Sequence, residues 1–194
     1  MELILVRHAA PMEQQTSDGS PADPALSERG RGQARAVVTW LEQLDLDRIL
    51  SSPALRARQT AEPLSRRSGL EVIVDDRLRD AHAEADRYVS LEAQKKSDPD
   101  AYRARVDDYQ DSPRFTEIST RVNEALDEWA ARCPGERVVV FCHGSVINVF
   151  AARVLGMAPR AFLEAGYASG HRFLISSAGI RSVQSLNETA YLLV

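Results

Sequence analysis

Long apolar runs are missing from this 194-residue chain, and no stretch approaches the length that a membrane-crossing helix requires. Cysteine is scarce: Cys133 stands at an expected helix end and Cys142 inside an expected strand. Two cysteines so placed build no disulfide framework and show no metal-ligand spacing, so both read as reduced thiols. An excess of positive charge is also absent. The 24 Lys and Arg are mixed along the chain with 28 Asp and Glu, for a formal net charge of −4, and offer no basic stripe to a nucleic-acid backbone. The opening Met1-Glu2-Leu3-Ile4-Leu5-Val6 lacks a basic leader and a small-residue cleavage site, which points to a cytoplasmic protein. There is no repeat and no low-complexity tract. Against these absences, 44% of the residues are apolar, enough to build one core and a single domain over residues 1–194.

The run Leu3 to Val6 reads as a strand buried on both faces, ending at Arg7-His8. After a polar loop, Ser27 is placed to cap a helix whose apolar positions Ala34, Val37, Val38, Leu41 and Leu44 recur at helical spacing, closed by Asp45. Ile49-Leu50 predicts a second strand. Ser52-Pro53 then supplies a cap and a helix-starting proline for a helix carrying Arg56, Ala57 and Thr60. Glu71 to Val74 predicts a third strand, followed by charged residues through Asp80. Residues 81–113 are charged, weakly patterned and include Lys95-Lys96-Ser97-Asp98-Pro99-Asp100, which reads as a small helical insertion or lid. Phe115, Ile118, Val122, Ala125, Leu126 and Trp129 form a helical core stripe that stops at Cys133-Pro134-Gly135. Arg137 to Cys142 is a buried strand leading into His143-Gly144 and a helix from Val146 to Leu155. Phe173 to Ile175 and Ile180 to Val183, parted by a Ser-Ser-Ala-Gly turn, predict a terminal antiparallel hairpin whose edge is open to a second subunit in a homodimer.

Strands alternating with helices predict an α/β three-layer sandwich, a mostly parallel central sheet flanked by helices, with ligands bound at the carboxyl ends of the strands. That rule gathers Arg7-His8, Arg56, Asp80 and His143 at one mouth although they are far apart in sequence. Guanidinium forks match phosphoryl oxygens and stay charged at any working pH, so an anion is the natural ligand. A neutral imidazole suits the nucleophile of a phosphohistidine route, and a second, protonated imidazole would stabilise charge on the phosphoryl oxygens. The leaving group needs a proton, for which Asp80 or else Glu84 is the carboxyl candidate. Backbone amides starting at Gly144 would add donors to the anion.

Several blocks, taken in order, resemble the histidine phosphatase superfamily, the group that includes phosphoglycerate mutases and many small phosphatases. They are Leu5-Val6-Arg7-His8, Leu26-Ser27-Glu28-Arg29-Gly30 with Gln33-Ala34, Ser51-Ser52-Pro53 through Arg56-Ala57-Arg58-Gln59-Thr60-Ala61, Arg77-Leu78-Arg79-Asp80, and Phe141-Cys142-His143-Gly144. The resemblance implies His8 as phosphoacceptor, Arg7, Arg56 and His143 as the phosphate pocket, and neither metal nor cofactor. The chain departs from the pattern in three places. Ala9 replaces the glycine that follows the histidine, Ala10-Pro11-Met12-Glu13 offers no match to the family's Thr and Asn, and Asp80 stands where the family has Glu, followed by Ala81-His82-Ala83-Glu84-Ala85.

Each residue also has a plainer reading. His8 or His143 alone could be a core histidine, Arg56 a solvated helix charge like Arg58, Arg66 and Arg67, and Asp80 a surface partner of Arg77 or Arg79. His82 and His171 read as surface or packing residues. The expected function is a phosphatase acting on a small phosphomonoester. The alternatives are a phosphoglycerate mutase-type phosphotransferase, a phosphate-binding module without turnover, and a metallohydrolase using His8, His82, His143 and His171. The insertion lacks a basic cluster to grip a phosphorylated acid, which favours hydrolysis over mutase chemistry.

Overall fold

The computed structural model describes residues 1–110 and 112–193. Its central sheet is built from β1 (Glu2–Arg7), β3 (Arg48–Ser51), β4 (Val72–Val74), β6 (Arg137–Cys142), β7 (Gly170–Ile175) and β8 (Arg181–Glu188), in the spatial order β4-β3-β6-β1-β7-β8. The β3–β4, β3–β6 and β1–β6 pairings are parallel, whereas β7 pairs antiparallel with β1 and β8. Two short strands, β2 (Gln14–Gln15) and β5 (Arg87–Tyr88), form a separate antiparallel ribbon. The helices are α1 (Glu28–Leu41), α2 (Leu55–Ser68), α3 (Leu91–Ser97), α4 (Pro99–Gln110), α5 (Arg114–Arg132) and α6 (Gly144–Val154).

Period-two alternation along the central strands divides the core into two layers. Leu3, Leu5, Val138, Val140 and Cys142 face Phe115, Ile118, Val122, Val146 and Phe150 of α5 and α6. Ile4, Val6, Val139 and Phe141 face Ala34, Val37 and Leu41 of α1 and Ala61 and Leu64 of α2. The continuous apolar sequence of β1 and β6 thus reflects cover on both faces, and each fully buried leucine contributes roughly 2 kcal/mol by burial. Cys133 and Cys142 are buried free thiols. No helix among the described residues is long and apolar enough to cross a membrane.

The three-layer α/β sandwich agrees with the sequence reading, and most elements fall where periodicity places them. The cap of α2 is a correction. The helix begins at Leu55, and the expected cap, Ser52, instead places its Oγ 2.8 Å from His143 Nε2 and accepts from Ala54 N at 3.3 Å, outside the helix. Asp23, from the preceding loop, takes over: its Oδ1 accepts from Leu55 N at 2.8 Å. A helix end needs a local acceptor, but that acceptor can come from any segment folded against it. In the stretch read as an insertion, two helices, α3 and α4, follow β5.

Ser27 does cap α1. Its Oγ accepts from Gly30 N, while its backbone and hydroxyl both donate to Ala10 O. Gly30 lies so close to that loop that a Cβ would come within 2.0 Å of Ala10 O. The start of α1 therefore clamps the loop that follows His8.

Candidate active site

Parallel register delivers the site. Arg7 pairs with Cys142 and Ser51 with Phe141, so β1, β6 and β3 end side by side. His8, His143 and Ser52 are the next residues out, and Arg56 follows on the first turn of α2. His8 and His143 are 2% and 1% exposed, with ring centroids 5.2 Å apart.

His8 Nδ1 lies 2.9 Å from its neighbour Ala9's carbonyl oxygen, which can only accept, so the ring proton sits on Nδ1 and the lone pair on Nε2. Arg56 Nε donates to that Nε2 at 3.3 Å. Burial, then the charges of Arg56, His143 and Arg7, push the His8 pKa well below its usual value and keep the ring neutral. His143 is likewise depressed, to about 3, by burial and then by Arg56. The imidazole expected from sequence to be protonated is therefore neutral here; a bound phosphoryl dianion would favour its protonation. Its Nδ1 faces Arg56 Nη2 at 3.4 Å, which assigns its ring proton to Nε2 and to Ser52.

Arg56 is 4% exposed and, besides the two histidines, reaches Asp80 at 3.5 Å and Asp23 at 3.6 Å. Arg7 Nη1 donates to Ala165 O at 2.5 Å and meets Glu92 at 3.3 Å. Two tyrosines cover the guanidinium groups: Tyr167 lies 4.0 Å from Arg7 and Tyr88 5.0 Å from Arg56, and their hydroxyls are 3.0 Å apart. Gly144 opens α6 beside Arg7, with a hypothetical Cβ 4.0 Å from Arg7 Nε.

Asp80 accepts from Ser145 Oγ at 2.5 Å and from Ala81 N at 2.8 Å, and its Oδ2 lies 4.0 Å from His143 Nδ1. Burial opposes its ionisation, but nearby positive charge and the Ser145 hydroxyl outweigh it and hold the pKa far below the carboxylate range. With His143 neutral above about pH 3, Arg56 carries that charge near neutrality. Arg77 and Arg79 pair instead with Asp75 and Asp76, so the surface reading of Asp80 does not hold. Glu84 is exposed and does not line the cavity.

Arg7, His8, Arg56, Asp80, Tyr88 and Gly144 line a cavity of about 420 Å³ together with His82, Arg87, Val89, Tyr102, Phe162 and Leu163; His143, buried against Arg56, does not line it. His82 thus belongs to its wall, whereas His171 is a buried packing residue held by Ser169 and by the Asn187 amide. Among the described residues no group of three or more His, Cys, Asp or Glu is placed to hold a metal ion. Ala9, at the position where the family has glycine, turns its Cβ into the core, and its amide donates to Thr60 Oγ1 at 3.0 Å. Sequence reasoning missed Ser145, Tyr88, Tyr167 and Glu92, and assigned Ser52 to the wrong task. Ser145 is detectable by its place after His143-Gly144; the tyrosines and Glu92 carry no local signal.

Arg7, His8, Arg56 and Asp80 thus share one cavity in an α/β fold, with His143 buried against Arg56, and the two guanidinium groups suit an anion. The sequence pattern of the histidine phosphatase superfamily (branch 1) matches residues 3–188, and the chain belongs to that family. It is 29% identical to phosphoserine phosphatase 1 of Hydrogenobacter thermophilus over 205 aligned positions, spanning 99% of this chain and 94% of that one. It is 26% identical to the probable phosphoglycerate mutase GpmB of Escherichia coli over 163 residues, 81% of this chain and 76% of the relative. The solved mycobacterial glucosyl-3-phosphoglycerate phosphatase in complex with VO3 superposes with a TM-score of 0.76 at 27% identity, covering 97% of this chain and 99% of that chain.

Proposed function

We propose that this protein is a phosphatase that hydrolyses a small phosphomonoester through a phosphohistidine on His8, without a metal. The observation that carries the reading is the Nδ1 contact to Ala9 O, which leaves a neutral Nε2 lone pair facing the guanidinium of Arg56 in the cavity floor. Nε2 attacks phosphorus while Arg7, Arg56, His143 and the Gly144 amide hold the phosphoryl oxygens. The dianion on Arg56 raises the proton affinity of Asp80, which takes up a proton from solvent as the substrate binds and gives it to the departing alkoxide. In the second half, the Asp80 carboxylate removes a proton from water as that oxygen attacks phosphorus, and the phosphorus–nitrogen bond breaks to release phosphate and neutral His8. Residues 81–113 act as a lid, placing Tyr88 over Arg56. The phosphatase names of two relatives support hydrolysis, as does the wall above the floor, where Arg87 and His82 stand among mostly apolar and small residues. The second reading, mutase chemistry, draws on the similarity to GpmB.

The test is release of phosphate from an aryl phosphate in the presence of chelator, with acid-quench detection of phosphohistidine. Turnover and trapped phosphoenzyme are expected in the wild type, with both reduced at least about 1,000-fold in His8→Ala. Turnover that survives His8→Ala would end the phosphohistidine reading. Transfer of the phosphoryl group to 3-phosphoglycerate faster than to water would favour the mutase.

A further inference from the structure

Both guanidinium groups of the site already meet carboxylates: Arg56 meets Asp80, the proposed acid, and Asp23, and Arg7 meets Glu92, which the proposed chemistry does not use. Helix α3 brings Glu92 across from the insertion so that Oε1 lies 3.3 Å from Arg7 Nη1, with the Glu92 side chain 32% exposed. Its second oxygen, Oε2, is buried and has no hydrogen-bond partner among the described residues. A buried carboxylate oxygen without a donor is costly, and this one belongs to the carboxylate that meets Arg7. A phosphoryl dianion on the same guanidinium would set like charges against each other. Lys95, one turn further along α3, does not relieve this, because its ammonium is drawn to Glu164 at 3.9 Å.

Both problems vanish when the substrate carries its own cation. An ammonium group has three donors, enough to satisfy Oε2 and share Oε1, and its charge offsets the repulsion between carboxylate and phosphate. An ammonium two carbons from the ester oxygen is within reach of a carboxylate that shares a guanidinium nitrogen with the phosphate. We propose that Glu92 is a specificity residue that binds an ammonium on the leaving alcohol, so that the substrates are phosphomonoesters of amino alcohols, O-phospho amino acids included. This rests on the phosphatase reading of the same site. Glu92 also acts against alternatives, since an anionic or neutral leaving group leaves the carboxylate facing the phosphate uncompensated.

O-Phosphoserine and 3-phosphoglycerate isolate the effect, because one has an ammonium where the other has a hydroxyl. Their equilibrium binding is measured by calorimetry on His8→Ala protein, with and without Glu92→Gln. O-Phosphoserine is expected to bind about 10- to 100-fold more tightly, and Glu92→Gln to bring the two within about threefold by weakening the first and strengthening the second. Equal binding of the two ligands, or a preference that survives Glu92→Gln, overturns the assignment. The ratio of kcat/KM values for the same pair, in otherwise wild-type protein and in Glu92→Gln, gives a second reading with the same expectations and does not depend on the folding of His8→Ala. Aryl phosphate turnover without amine preference overturns the role of Glu92 alone. A binding preference that depends on Glu92, in a protein that turns over nothing, supports that role and overturns hydrolysis.

Discussion

Asp80 is ionised because Arg56 and Ser145 favour the charged form, yet the proposed chemistry needs its proton. The phosphoryl dianion resolves this by competing for Arg56, so the acid forms only in the complex. The consequence is a dependence on the leaving group. Asp80→Asn keeps an oxygen for the Ser145 and Ala81 hydrogen bonds but can neither give nor take a proton. It is expected to slow alkyl phosphate hydrolysis about 100-fold or more, since an alkoxide cannot leave unprotonated. An aryl phosphate with an acidic phenol should lose much less in a single-turnover measurement of phosphohistidine formation. Glu84→Gln, at an exposed position, should match the wild type with both substrates. Equal losses for the two leaving groups in Asp80→Asn would remove Asp80 from the role of acid.

At the level of elements, catalysis depends on how helix starts and strand ends meet. The loop after His8 contains the Ala9 carbonyl that sets the tautomer, and the start of α1 holds that loop through Ser27 and the close approach of Gly30 to Ala10 O. No side chain fits between them, so Gly30→Ala must push α1 or the loop away. The expected loss is about 2–3 kcal/mol of stability by overpacking, read from the shift in urea midpoint. Aryl phosphate turnover should fall as well, because displacement of Ala9 O weakens control of the His8 ring. Gly32→Ala is the control: its Cβ would meet only the end of the Arg35 side chain at 3.8 Å.

Across the whole molecule, three buried histidines work in one direction. His8, His143 and His171 all have depressed pKa values, His143 at about 3 and His171 at about 4, first through burial. An unfolded histidine titrates near 6.5, so below that pH the unfolded chain binds protons that the folded chain does not. Stability is therefore present in full above 6.5 and is lost as pH falls toward the folded values. An anion in the pocket raises the proton affinity of His8 and His143 and opposes the loss. Sulfate, a dianion throughout this range, should raise Tm more at about pH 5.5 than at about pH 7.5. Scanning calorimetry with and without sulfate checks this, and an equal gain at both pH values would contradict it.

The sequence alone determined the α/β class, the order of the main elements and the placement of Arg7, His8, Arg56, Asp80 and His143 at one mouth. Strand and helix periodicities are local, and parallel strands must end on the same side. Ser52, read as a helix cap, was misjudged because its partner, His143, comes from a remote segment, and the departure from the family's glycine at Ala9 is accommodated by the core under α1. Only the tertiary structure decided which nitrogen of His8 is free, that His143 is neutral, that Asp23 caps α2, and that Glu92 lies on Arg7. Each of these depends on distances of about 3 Å between groups far apart in sequence, set by the packing of whole layers, and charge and hydrogen bonding change too steeply over such distances for composition or spacing to reveal them.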